Sequence, residues 1–134
     1  MLKNILLYLS LVLAVLIAYL HISALENYYY WIYSWFDLVV HFLGGVLIAS
    51  FSTWFYLSLS HIKEFNYSDK QLIILTVVNV LVISFLWEIF ELVLWVSLNE
   101  PNYLLDTTLD TLFALSGSIF LQVLFLGSRK FLIK

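Results

Sequence analysis

Four long apolar stretches, Ile5 to Leu25, Trp35 to Leu59, Leu72 to Leu98 and Leu104 to Leu126, take up most of this 134-residue chain. Each reaches the about 20 apolar residues needed to cross a hydrocarbon core roughly 30 Å thick. A backbone in lipid must satisfy its own hydrogen bonds, so each stretch is predicted to be an α-helix. Only 11% of the residues are charged and 63% are hydrophobic, whereas a soluble domain carries about a quarter charged residues. A water-facing surface cannot be built from that composition. The connections, Glu26 to Tyr33, His61 to Lys70, and Asn99 to Tyr103 with Pro101, are short, so neighbouring helices run antiparallel. The expected fold is an all-α membrane protein, a four-transmembrane-helix up-down bundle forming a single domain over residues 1–134.

Orientation follows from the basic residues, which mark cytoplasmic flanks. Lys3 precedes the first stretch, Lys63 and Lys70 lie between the second and third, and Arg129, Lys130 and Lys134 follow the fourth. The other two connections carry only Glu26 and Glu100 as charges, so both termini and the middle connection are expected in the cytoplasm of a cell with its inner membrane as host. Tyr28, Tyr29, Tyr30, Trp31, Tyr33 and Trp35 crowd the first outer connection, at the headgroup level such rings favour. The first stretch is longer than the apolar region of a signal peptide, and Ile22-Ser23-Ala24 is a poor cleavage site, so this helix is expected to stay.

Ionisable groups inside a span cost several kcal/mol unless paired, hydrated or bound. Here they come as three pairs: Asp37 with His41, Glu88 with Glu91, and Asp106 with Asp110. Spacings of three and four put both members of a pair on one helix face. All three pairs fall on the extracytoplasmic side of a topology derived from Lys and Arg alone. Counting inward from the span ends, His41 is roughly 9 Å deep, Glu91 and Glu88 roughly 10 and 15 Å, and Asp110 similar to His41. Five carboxylates and one imidazole at one level need a counter-charge, and no Lys or Arg lies there.

A divalent cation, protons or both would supply that charge. Oxygen-rich ligation with one nitrogen suits Mg²⁺, Mn²⁺, Fe²⁺ or Zn²⁺, with Asp37, His41, Glu88, Glu91, Asp106 and Asp110 as the candidate ligands and Glu88 or Glu91 as the candidate catalytic base. Asp37 and Asp106 taken singly fit helix caps, and His41 singly fits a core histidine bonded to a carbonyl. Glu88 and Glu91, two acids on one turn in mid-membrane, have no such structural role. Gly44 and Gly45, one turn after His41, are expected to let another helix approach closely. Asn79, Ser84, Ser116 and Gln122 are expected to hydrogen-bond between helices. The lack of Cys excludes disulfides, thiolate metal sites and a cysteine nucleophile. Ser118 lacks a histidine placed to activate it, since His21 and His61 belong at helix ends.

The run Asp37-Leu38-Val39-Val40-His41-Phe42-Leu43-Gly44-Gly45, then Trp87-Glu88-Ile89-Phe90-Glu91, then Asp106-Thr107-Thr108-Leu109-Asp110 with Gly117 beyond, resembles the YjdF-type and VanZ-like small membrane proteins. The likeness covers roughly Phe36 to Phe120. It implies a bacterial inner-membrane protein of largely undefined activity, VanZ itself being linked to teicoplanin resistance. This chain carries Glu91 where the VanZ group tends to have Gln.

The leading functional expectation is an outward-facing intramembrane metal site serving a hydrolase or transferase that acts on a lipid or lipid-linked envelope precursor. The alternatives are a proton- or ion-coupled transporter, and an accessory structural membrane protein. No ionisable group lies in the inner half of any span, so a transport path would need oligomerisation. Buried charge is a poor stabiliser, which weighs against the structural role. The bilayer is the expected partner, and no nucleic acid is expected.

Overall fold

The structure is a computed structural model that describes residues 2–63, 67–93 and 102–132. The expected end of the third span, Leu94 to Leu98, lies outside the described residues, as do Asn99, Glu100 and Pro101 of the connection between the third and fourth spans, Glu64 and Lys134. Five helices follow one another: α1 (Leu2–Glu26), α2 (Tyr29–Ile32), α3 (Phe36–Lys63), α4 (Asp69–Val93) and α5 (Tyr103–Leu132). Four stretches within them, Lys3–Glu26, Phe36–Ser60, Asp69–Val93 and Tyr103–Arg129, are long and apolar enough to cross a membrane. No strand occurs among the described residues. The all-helical class and the four spans are those the apolar runs predict.

The connection between the first two spans differs from the loop the sequence suggests, because one turn of it is helical. Tyr28 takes a left-handed conformation (φ 60°) and reverses the chain, and α2 then stacks its rings on the start of α3, with Tyr29 and Tyr30 both against Phe36. Elsewhere the local chemistry is plain. Ser68 and Gln71 form a capping box at the start of α4: the Ser68 amide donates to Gln71 Oε1 at 2.9 Å, and the Gln71 amide to Ser68 Oγ at 3.3 Å. Arg129 Nη1 donates to Asp69 Oδ1 at 2.6 Å, fastening the last turns of α5 to the first turn of α4.

Helix α3 is central. It packs most extensively on α5, takes α1 on another side, and meets α4, which also packs on α5. Leu13, Val46, Ala49, Leu72, Leu121 and Phe125 fill the space between them. Helix α1 is peripheral, with Tyr8, Val12, Val15 and Tyr19 exposed along it as expected of a lipid-facing surface.

The α3–α5 crossing is set by glycine. A Cβ on Gly45 would overlap the carbonyl of Ala114, and a Cβ on Gly117 would overlap that of Phe42, so the two backbones touch where only glycine fits. Gly44, by contrast, has open space beside it, and the close approach expected for both glycines belongs to Gly45 alone. In the half of the bundle away from the acids, Asn79 Nδ2 donates to Ser52 Oγ (3.1 Å) and Tyr56 OH (3.0 Å). Gln122 Nε2 donates to Thr53 Oγ1 (2.9 Å) and Thr76 Oγ1 (3.0 Å), joining α3, α4 and α5. Ser116 instead turns back to the Phe113 carbonyl of its own helix.

Candidate functional site

His41 is one helical turn before Gly45, and Asp110 one turn before Ala114. The backbone contact between Gly45 and Ala114 therefore sets the imidazole of α3 opposite the carboxylate of α5. His41 Nε2 lies 3.7 Å from Asp110 Oδ2 and 3.5 Å from Asp37 Oδ1, its neighbour one turn earlier. Both distances exceed the 2.7–3.2 Å of an ordinary hydrogen bond to oxygen. One ligand atom from each of the three residues falls within 4.8 Å of the others. For metal–ligand bonds of about 2.1 Å, adjacent ligand atoms sit roughly 3.0–3.4 Å apart, so the two His41 pairs are a few tenths of an ångström wider than an ion would hold them.

Burial is steeply graded across the cluster. The side chain of Asp37 is 31% exposed, that of His41 11% and that of Asp110 2%. Asp110 Oδ1 is fully buried and has no hydrogen-bond partner among the described atoms. A buried carboxylate oxygen without a donor is costly and calls for a proton or a cation. Asp37 lies in the first turn of α3, where the helix N-terminus favours a negative group.

The other expected site residues surround this core. Asp37, Asp106, Glu88 and Glu91 all lie close enough to Asp110 to act on it by Coulomb repulsion, so the three sequence pairs do converge on one end of the bundle. Their contacts differ, however. Glu88 is buried and turns its carboxylate to α5, where Thr107 Oγ1 donates to its Oε2 at 2.7 Å and the Tyr103 hydroxyl at 3.4 Å. Glu91 accepts from Trp87 Nε1 at 2.8 Å. Asp106 is half-buried in the first turn of α5, one turn before Asp110. Asp37, His41 and Asp110 thus form the tight cluster, with Glu88 as a separate station bound to α5.

Sequence reasoning missed the neutral residues that hold these acids. Thr107 and Tyr103 stand four apart on α5 and both reach Glu88, and Trp87 stands one turn before Glu91, so helical spacing carried a signal for each. It also missed a polar aromatic cover. His21 Nδ1 and Tyr30 OH share a hydrogen bond of 2.7 Å, and the His21 ring meets the edge of Trp87, linking α1, α2 and α4. The Tyr30 phenol is pushed above its ordinary value by burial first, then by the nearby carboxylates of Asp37 and Glu91. His21 lies five residues before the end of α1, and nothing in its sequence neighbourhood points to this link.

No curated protein and no solved structure matches this chain. A family of predicted membrane proteins, DUF2238, matches residues 3–130, which takes in all four spans and every acid of the site. The chain therefore belongs to the DUF2238 family of membrane proteins.

Proposed function

We propose that this chain is a bacterial inner-membrane protein that binds a divalent cation between Asp37, His41 and Asp110, at the extracytoplasmic end of its bundle, and acts there on a lipid or lipid-linked envelope precursor. The observation that carries the reading is Asp110: a buried carboxylate with one unpartnered oxygen, facing an imidazole across a gap too wide for a hydrogen bond. A cation between the three residues answers the charge and the spacing together. It would polarise a phosphoryl or ester oxygen and lower the pKa of bound water. In this reading Glu88, outside the tight cluster and at the same end of the bundle, is the group that takes a proton. The order of the Asp37/His41, Glu88/Glu91 and Asp106/Asp110 motifs, which resembles that of the YjdF-type and VanZ-like proteins, supports the same reading.

Elemental analysis of the protein purified in detergent tests this. Bound divalent metal is expected, chelation is expected to lower the melting temperature at neutral pH, and metal restored in excess is expected to raise it again by mass action on the folded state. Asp110→Asn and His41→Ala are expected to lose the metal, and Glu26→Gln to keep it. A metal-free protein whose melting temperature ignores both chelator and added metal would overturn the reading.

A proton- or ion-coupled transporter is the second reading. It is favoured by the buried hydrogen-bonded cluster of Gln122, Thr53 and Thr76, which extends the polar interior beyond the acids. Ion flux in proteoliposomes, abolished by Asp110→Asn, would support transport over catalysis.

A further inference from the structure

Helices α4 and α5 do not close on one another along their whole length. Between them lies a hollow of about 330 Å³ lined by Leu81, Phe85, Glu88, Ile89 and Leu92 from α4 and by Tyr103, Thr107 and Thr111 from α5. The α4 residues recur at spacings of three and four and the α5 residues at four, so the hollow is a groove running along two facing helix stripes. Leu81, Phe85 and Ile89 are exposed on a spanning helix, and the groove accordingly opens sideways. Glu88, held by Thr107 and Tyr103, is the buried acid in its wall.

We propose that this groove holds one acyl chain of a membrane phospholipid, with the ester end toward Tyr103, Thr107 and Glu88 and the methyl end toward Leu81 and Phe85. The proposal rests on the reading of the acidic cluster as a site that acts on a lipid. Three observations select the occupant. The groove faces sideways from a membrane span, where hydrocarbon is the surrounding medium, and an unfilled apolar hollow forgoes dispersion contacts. From Leu81 to Leu92 it is about 16 Å long, which matches the roughly 15 Å of hydrocarbon in one leaflet. Tyr103 stands at the end of the groove where an aromatic hydroxyl sits well at headgroup level.

The full-length protein, reconstituted in vesicles of phosphatidylethanolamine and phosphatidylglycerol containing a phospholipid with a diazirine on one acyl chain, is to be photolysed and its labelled residues mapped. Label concentrated on the groove residues is expected, and lost in both Thr111→Phe and Leu81→Trp, which plug the groove from opposite helices. Two plugs guard against one variant misfolding. Label spread evenly round the bundle and unchanged by the plugs would overturn the proposal, as would cross-linked dimers through α4 and α5, or preferential groove labelling by a photoreactive polyprenyl phosphate. Metal content is read on the same samples. Groove label on a metal-free protein supports the groove while overturning the cation site, and metal-loaded protein with even labelling does the reverse.

Discussion

Asp110 and Glu88 are both buried carboxylates at the same end of the bundle, yet their surroundings differ. Glu88 accepts from two hydroxyls, so its charge is partly answered by hydrogen bonds; Asp110 has an oxygen with none. Removing charge at Asp110 is therefore expected to cost metal retention far more than Glu88→Gln, which keeps an acceptor for Thr107. Equal loss in the two variants, read by elemental analysis, would mean that Glu88 is itself a ligand. Tyr30 offers a second residue-scale test outside the spans. Its pKa is raised in the folded protein by burial and by Asp37 and Glu91, so the folded state resists ionisation that the unfolded chain undergoes near pH 10. The stability this represents is present below the unfolded value and lost as pH rises past it. Alkaline destabilisation is expected in the native protein and reduced in Tyr30→Phe, measured by melting temperature from pH 8 to 11.

At the scale of elements, the site depends on how closely α3 and α5 approach. Gly45 and Gly117 each meet backbone, not flexible side chain, so even one methyl group cannot be accommodated by a rotamer change. Gly45→Ala and Gly117→Ala are expected to destabilise by about 1 to 3 kcal/mol through overpacking, and to weaken metal retention by separating His41 from Asp110. Gly44→Ala, with open space around it, is the control and is expected to change neither. Thermal melts in detergent of the three variants, with metal content, check this. A melting temperature unaltered in Gly45→Ala would show that the helices do not cross where the structure places them.

For the whole molecule, sidedness decides what the site can meet. The acids gather at one end of the bundle and the Arg129–Asp69 pair lies toward the other, in keeping with the asymmetry of basic residues that orients membrane proteins. Cysteines introduced singly at Tyr29, Lys63, Asn102 and Lys134 are expected to react with an impermeant reagent from outside only at Tyr29 and Asn102. Reaction from outside at Lys63 would invert the protein and turn the site to the cytoplasm.

The helices and their spans were legible in the chain because crossing lipid leaves the backbone few choices, and a run of 20 apolar residues is a signal that needs no tertiary context. The acids were legible as candidates for the same reason, since charge within a span is expensive and stands out. Spacing along one helix cannot say what faces it across a bundle. That Asp110 and not Asp106 pairs with His41, that Glu88 turns to Thr107, and that Gly45 but not Gly44 carries the crossing all depend on the rotation of α3, α4 and α5 about their own axes. Packing of the whole bundle sets those rotations, through the backbone contacts of Gly45 with Ala114 and Gly117 with Phe42.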